Sequence, residues 1–150
     1  MKGSLTKLLA TFFFMGYSPL APGTVGTLGG VILFYLLSSF TFATYISFLL
    51  GFIILSIWMS GKASELFGKS DPGQIVIDEV CGYLITMFLI SPSLRNIILG
   101  FLLFRLFDIV KPPPIKRLER LRGGFGIVSD DVMAGIYANI ILQVVIRVIG

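Results

Sequence analysis

Apolar segments alternate with short polar stretches along most of the chain. Glycine, proline and charged residues separate six such segments, at residues 5–15, 28–40, 42–60, 80–90, 96–107 and 132–149. No Asp, Glu, Lys or Arg occurs between Lys7 and Lys62, which leaves room for two membrane spans of about 20 residues each. The pattern predicts an all-α, multi-pass membrane protein with about four spans and an N-terminal membrane-associated helix, in one domain over residues 1–150.

One short apolar segment gains length from its polar flank. Asp71 is a suitable N-cap and Pro72 a suitable first helical residue, because proline lacks only an amide that would be unpaired there. The sequence therefore predicts a helix over residues 72–90, long enough to cross. At about 3.6 residues per turn, Asp78 and Glu79 would lie roughly two turns inside it.

Two further segments carry polar residues at their ends. Pro112, Pro113 and Pro114 cannot continue the helix predicted at 96–107. Arg105, Asp108 and Lys111 are spaced three apart, which predicts a shared face at the end of that helix. The stretch RGGFGIVSDD precedes the last apolar run, where Ser129 or Asp130 is the expected N-cap.

Composition supports a membrane protein and narrows its chemistry. The 150 residues are 55% hydrophobic and 13% charged, with a mean hydropathy of +0.94, whereas about a quarter of residues are charged in soluble domains. The net charge of +4 comes from cations that lie beside apolar segments. Cations in this position are typical of membrane topology signals, so no nucleic-acid partner is expected. The chain has no histidine, and Cys81 lacks the Arg that a cysteine phosphatase needs six residues later, where Met87 stands. Cys81 is expected to be a packed small residue.

Counting crossings places most polar residues on one side of the membrane. If 28–40 and 42–60 form one hairpin and the next two helices form another, then Asp78, Asp108 and Asp130 share a face with the loop SPLAPGTVGT. Lys62, Lys69 and the stretch KPPPIKRLERLR lie on the same face. The positive-inside rule makes that face cytoplasmic.

Five acids on this face would repel one another unless cations lay among them: Asp78, Glu79, Asp108, Asp130 and Asp131. Carboxylates at the edge of the hydrocarbon are costly and are usually paired or functional. Magnesium suits such a set, because it prefers oxygen ligands and keeps water and phosphate in its shell. The alternative is that these acids are helix caps and ion pairs, with Asp108 between Arg105 and Lys111.

A glycine-rich stretch, APGTVGTLGG, offers amides and the hydroxyls of Thr24 and Thr27 near a helix start. Such groups can form an anion pocket. The alternative is helix packing, since Gly26 and Gly30 make a GxxxG motif. Among the cations, Lys111 is expected to contact phosphate, whereas the outer ones set topology or touch anionic lipid.

Three blocks resemble the signature motifs of the phosphatidylglycerophosphatase A family in order and spacing: SPLAPGTVGT, DPGQIVIDEVCG and FRLFDIVKPPPIKRLERLRGGFGIVSDDVMAG. The resemblance covers most of the chain from Ser18 to Gly135. It implies a magnesium-dependent membrane enzyme that hydrolyses phosphatidylglycerophosphate to phosphatidylglycerol and inorganic phosphate. The positions of the cations predict that its active site faces the cytoplasm from the cell inner membrane. Attack by water assisted by the metal is the expected route, and a carboxylate nucleophile is the alternative.

By motif position the resemblance also indicates the working residues. The expected catalytic residues are Asp78, Glu79, Asp108 and Asp131, and the expected metal ligands are these four and Asp130. The expected substrate-binding residues are Lys111, which the resemblance indicates, and Thr24, Thr27 and Arg105, which are expected from the residues themselves. Two other classes remain open from the residues alone: a small ion or metabolite transporter with intramembrane acids, and a structural scaffold.

Overall fold

The computed structural model describes residues 2–149, and these form helices and no strand. The all-α class is therefore confirmed. A 3₁₀ turn at Met15–Tyr17 follows the first helix. The helices are α1 (Lys2–Ala10), α2 (Pro22–Leu37), α3 (Phe42–Phe67), α4 (Ile77–Thr86), α5 (Leu94–Val110), α6 (Ile115–Leu118) and α7 (Gly124–Ile149).

Two helices, α3 and α7, are long and apolar enough to cross a membrane. Each has 26 residues and an apolar window of mean hydropathy 2.0, and each spans about 39 Å at 1.5 Å per residue. Most of each window faces outward from the fold, where lipid would solvate it. The helices α2 and α5 are shorter, with 16 and 17 residues.

The helix predicted over residues 72–90 is wrong at both ends. The structure begins α4 at Ile77 and ends it at Thr86, and Asp71 caps no helix. The preceding backbone makes other hydrogen bonds: the Val76 amide donates to the Ala10 carbonyl of α1 at 3.0 Å, and the Ile75 amide donates to Pro72 at 2.9 Å. Asp78 and Glu79 consequently lie in the first turn of α4, not two turns inside a helix.

Because it has only ten residues, α4 is enclosed by the longer helices. It packs against α2, α3, α5 and α7, and all of its residues except Glu79 are buried. At about 15 Å it is too short to cross the hydrocarbon alone. Its buried end therefore needs partners from other helices.

Side chains from α3 and α7 supply these partners. The Asn139 amide donates to the carbonyls of Thr86 and Phe88, both at 2.8 Å, and Gln143 donates to Asn139 Oδ1 at 2.9 Å. The Tyr45 hydroxyl donates to the Leu84 carbonyl at 2.7 Å. The carbonyls at the end of α4 are thus satisfied in apolar surroundings.

Small residues let the neighbouring helices approach α4 closely. A Cβ atom at Gly30 of α2 would lie 2.9 Å from Tyr83 Cβ, and one at Gly26 would lie 2.6 Å from Val76 Cβ. The packing interpretation of the GxxxG motif is thereby confirmed. On the other side, a Cβ at Gly135 of α7 would collide with the Gly82 carbonyl oxygen.

The start of α7 also differs from the prediction. Ser129 and Asp130 were expected to cap a helix from residue 132, but α7 begins at Gly124 and includes both. Gly123 supplies a left-handed turn at φ 65°, and Gly124 packs against the backbone of Ile57 where no Cβ would fit. Asp130 and Asp131 therefore lie about two turns inside α7.

The other boundaries agree more closely with the apolar segments. The helix predicted at 96–107 is α5, which ends before the prolines as expected. The segment 5–15 divides into α1 and a turn, in which Phe12, Phe13 and Phe14 have positive φ. The segment 28–40 begins earlier, at Pro22, so Thr24 and Thr27 lie within the first turns of α2.

Replacing Asn139 with Leu tests the enclosure of α4. The substitution would leave two partly buried carbonyls without donors, and each such loss costs about 1–3 kcal/mol when burial is complete. We expect a clear fall in the thermal unfolding temperature in detergent. Gln143→Leu removes a bond to Asn139 but none to the backbone of α4, so it should destabilise less. Equal unfolding temperatures for the two variants would show that the end of α4 does not depend on Asn139.

Candidate functional site

Three carboxylates meet at the start of α4, beside the second turn of α7. Asp78 and Glu79 occupy the first turn of α4, and Asp131 faces them from α7. One oxygen from each lies within 4.8 Å of the others. Gly82 permits this approach, because a Cβ there would lie 2.8 Å from the carbonyl oxygen of Asp131. This set is called the carboxylate cluster below.

The carboxylate cluster has two buried members, Asp78 and Asp131, and one half-buried member, Glu79, and it is incompletely hydrogen-bonded. Asp78 is 7% exposed and Asp131 is 3% exposed. Asp78 Oδ1, Glu79 Oε2 and Asp131 Oδ1 have no hydrogen-bond partner in the described chain. Buried anionic oxygens without partners are costly, and a hard divalent cation would satisfy several at once. The residues therefore fit a metal site.

The other two acids of the predicted set are paired with cations. Asp108 on α5 forms an ion pair with Arg105 one turn earlier. Asp130 Oδ2 accepts a hydrogen bond from Lys111 Nζ at 2.8 Å. Asp108 is nevertheless close enough to Glu79 and Asp131 to interact with them electrostatically. Metal ligation by Asp108 and Asp130 stays a prediction.

Lys111 joins α5 to α7 instead of lying beside Asp108. It caps α5 in a left-handed conformation, with φ 48°, so its side chain leaves the face that Arg105 and Asp108 share. Its ammonium group also donates to Glu119 at 3.1 Å. Partial burial acts to lower the pKa of Lys111, but its bonds to Asp130 and Glu119 outweigh burial and raise the pKa above its usual value. Lys111 is therefore positively charged at neutral pH.

The first turn of α2 closes another side of the site. A Cβ at Gly23 would lie 2.5 Å from Glu79 Oε1 and 3.0 Å from Arg105 Nη1, so only glycine fits there without a shift. Thr24 is half-buried. Thr27 is buried, and its hydroxyl donates to the Gly23 carbonyl at 2.8 Å. Substrate contact by Thr24 and Thr27 stays a prediction.

One residue that holds the site together was not singled out from the sequence. Glu119 lies in the basic stretch after α5, where it resembled an isolated acid among topology signals. Its bond to Lys111 spans eight residues across the proline turn. The position of Glu119 in the sequence could not predict this bond, because the geometry of the proline turn decides which cation Glu119 contacts. Cys81 is buried and free, as expected for a packed residue.

Comparison with known proteins agrees with this arrangement. The family model described as Phosphatidylglycerophosphatase A matches residues 8–146. The chain belongs to the phosphatidylglycerophosphatase A family. The match includes every residue of the carboxylate cluster and both paired cations.

Relatives with curated names cover nearly the whole chain. A Haemophilus influenzae protein named Phosphatidylglycerophosphatase A is 43% identical over 90% of this chain and 85% of its own length. An Escherichia coli protein of the same name is 35% identical over 90% and 80%. A Bacteroides thetaiotaomicron protein named "Putative phosphatidylinositol-3-phosphatase" is 38% identical over 97% and 96%. No solved structure matches the chain significantly.

All three names describe phosphatases that act on a lipid head group, although two different head groups are named. The resemblance inferred from the three sequence blocks is thus confirmed at the level of the family. The transporter alternative gains no support from these comparisons.

Substitutions at Lys111 and Arg120 should distinguish a cation that acts in the site from one that only sets the orientation of the chain in the membrane. Arg120 is exposed and forms no ion pair within residues 2–149. Removing a preorganised donor from a phosphate site typically costs about 100-fold in kcat. We expect Lys111→Ala to lower phosphatase kcat by about tenfold or more and Arg120→Ala to leave it nearly unchanged. Small, equal losses would assign Lys111 to topology.

Proposed function

We propose that this chain is a divalent-metal-dependent membrane phosphatase that removes the terminal phosphate of phosphatidylglycerophosphate. The products are phosphatidylglycerol and inorganic phosphate. One observation carries the proposal: two buried carboxylates and one half-buried carboxylate, each with an unpartnered oxygen, lie together beside two ion-paired cations. The family match and two of the relatives' names support this substrate.

Two sets of charged residues have separate roles in the proposed reaction: acids that would bind the metal ion and cations that would bind the phosphate. Asp78, Glu79 and Asp131 would hold the cation, with Mg²⁺ as the expected ion because it prefers oxygen ligands and tolerates phosphate in its shell. When bound, the ion would act as a Lewis acid that neutralises phosphate charge and makes water a better nucleophile. Arg105 and Lys111 are the cations placed to attract the phosphomonoester, each at present neutralised by a carboxylate.

Hydrolysis adds water to phosphorus and releases the lipid hydroxyl, so charge grows on the leaving oxygen. Cations preorganised near that oxygen lower the barrier more in a site that excludes water than in bulk solvent. Arg105 and Lys111 are partly buried, with 17% and 24% of their side chains exposed. This low exposure supports their assignment to substrate. Attack by water, not by a carboxylate, is part of the proposal.

The proposed topology has the four longer helices α2, α3, α5 and α7 crossing the membrane around the enclosed α4, as one domain. The starts of α2, α4 and α7 and the end of α5 contribute to the site. Most of the cations lie at this end, including Lys7, Lys69 and those of residues 111–122. The positive-inside rule supports a cytoplasmic active site in the cell inner membrane.

Phosphate release by the purified chain in detergent micelles tests the function. Phosphatidylglycerophosphate should release inorganic phosphate when Mg²⁺ is present, and EDTA should abolish the release until Mg²⁺ is restored. Phosphatidylinositol 3-phosphate, the lipid that the name of the Bacteroides relative suggests, should be hydrolysed more slowly. A faster rate with the inositol lipid would reassign the substrate, and full activity in EDTA would contradict the metal.

Matched acid variants identify the ligands in the same assay. An amide cannot supply the anionic oxygen that holds a hard cation. Asp78→Asn and Asp131→Asn should therefore lower kcat by about 100-fold or more, on the scale of losing a major electrostatic group. Glu65→Gln is the control, because Glu65 is an exposed acid on α3. A comparable loss in Glu65→Gln would indicate a general charge effect.

Single cysteines in a Cys81→Ala background test the topology. Cysteines at Ser70 and Arg117, both exposed at the site end, should react with an impermeant thiol reagent only after the cytoplasmic side is opened. A cysteine at Ser93, at the other end of α5, should react from outside intact cells. Labelling of Ser70 and Arg117 from opposite sides would separate α4 from the end of α5 and overturn the shared site.

A further inference from the structure

One buried hydroxyl near the carboxylate cluster lacks a partner. Ser60 on α3 is fully buried, and its Oγ has no hydrogen-bond partner within residues 2–149. Seven buried side-chain atoms share this property. Five of them belong to the site residues Asp78, Glu79, Arg105, Asp130 and Asp131, so unpartnered polar atoms are concentrated at the site.

Four other helical hydroxyls bond within their own helix. Thr27, Ser56, Thr86 and Ser129 each donate to the carbonyl four residues earlier. This bond is always available to a serine or threonine in a helix. Ser60 could make it to the Ser56 carbonyl but does not. Because the Ser60 hydroxyl is not bonded to its own helix, it is available to a partner from a neighbouring helix or from a bound ligand.

The packing of α3 places Ser60 level with the carboxylate cluster. One turn earlier, Ser56 lies close to Cys81, which is itself near Asp131. One turn later, Ala63 packs in a small apolar group with Ile77 and Ile127. Ser60 lies between these two levels, on the same helix face.

The relative direction of α3 and α4 indicates which part of α4 lies at the same height as Ser60. Along α3 the contacts move from Leu84 at Tyr45, through Cys81 at Ser56, to Ile77 at Ala63, so α3 and α4 are antiparallel. The level of Ser60 therefore lies between the levels of Ile77 and Cys81, and Asp78 is the buried acid between these two residues. Its Oδ1 is also without a partner.

We propose that Ser60 is a positioning residue of the metal site, whose hydroxyl acquires its hydrogen-bond partner when a hydrated divalent cation occupies the carboxylate cluster. The inference rests on the metal site of the proposed function and extends it to a third helix, α3. Hydrogen-bond partners just outside the ligands orient them, and losing one typically lowers metal affinity by about 10–100-fold. Ser60 carries no charge and needs to touch no substrate to act in this way.

Ser56→Ala is the matched control for Ser60→Ala. Both residues are fully buried serines on the same face of α3, but the Ser56 hydroxyl is already bonded to Phe52 at 2.7 Å. Binding of Mn²⁺ to the full chain in detergent, followed by electron paramagnetic resonance, gives affinity without using activity. We expect Ser60→Ala to weaken Mn²⁺ binding about tenfold or more and Ser56→Ala to leave it close to wild type.

Unfolding without metal gives a second readout with opposite signs for the two variants. In EDTA, Ser60→Ala removes an unsatisfied buried hydroxyl, so its unfolding temperature should equal or exceed that of wild type. Ser56→Ala removes a satisfied bond and should unfold at a lower temperature. A destabilised or unfolded Ser60→Ala protein would make Ser60 a structural residue and overturn the proposal.

The outcomes also separate this inference from the function on which it rests. If wild type binds no Mn²⁺ and hydrolyses lipid in EDTA, the metal site itself is wrong. If wild type binds Mn²⁺ and Asp78→Asn does not, but Ser60→Ala and Ser56→Ala bind equally well, only the role of Ser60 fails. Loss of binding in Ser60→Ala alone, with stability retained, supports it.

Discussion

The structure depends on the enclosure of a short helix that begins with two acids. α4 has ten residues, so it can neither cross a bilayer nor present its ends to water. Each unsatisfied backbone group in hydrocarbon costs several kcal/mol, and the surrounding helices are arranged to remove that cost. Asn139 and Tyr45 satisfy its carbonyls, while Gly30 and Gly135 allow the neighbouring backbones to come close.

The same enclosure creates the electrostatic character of the site. Because α4 starts inside the protein, Asp78 and Glu79 are withdrawn from bulk water and face Asp131 across a helix contact made close by glycine. Like charges so near one another are unfavourable unless positive charge compensates them. The chain pairs Arg105 and Lys111 with two other acids, Asp108 and Asp130. No cation within residues 2–149 forms an ion pair with the carboxylate cluster, which Arg105 influences only through its charge near Glu79. That imbalance is the physical basis for a divalent ion there.

A lipid phosphatase has to bring a phosphomonoester and a hard cation together next to hydrocarbon. The helix ends that converge in this chain meet that requirement, because helix termini are where polar groups can stand at a membrane surface. α5 ends with Arg105, Asp108 and Lys111, and α7 brings Asp130 and Asp131 from its second turn. Glu119 then holds Lys111 from the turn that joins these helices. The family relationship gives this arrangement its proposed substrate.

Apolar composition and motif order determined the class of protein and its family. Long uncharged segments would expose too much apolar surface in water, so an all-α fold with helices apolar enough to cross a membrane could be predicted from the sequence, and the described residues contain two such helices. The acids of α4, α5 and α7 were also identifiable, because carboxylates are rare and costly beside such segments. Helix boundaries were less accessible: Pro72 and Ser129 were read from local capping preferences, which the hydrogen bond from Val76 to Ala10 and the turn at Gly123 overrode.

Only the tertiary structure decided which charges meet. Spacing along α5 favoured Lys111 beside Asp108, but the left-handed cap at Lys111 directed it to Asp130 and Glu119. Ser60 carried no sequence signal at all, since a serine in an apolar helix ordinarily bonds to its own backbone. Its isolation becomes visible once α3 is packed against α4 and α7. The sequence determines which groups are too costly to bury alone. The packing of the helices determines which partner each group contacts and which groups are left without one.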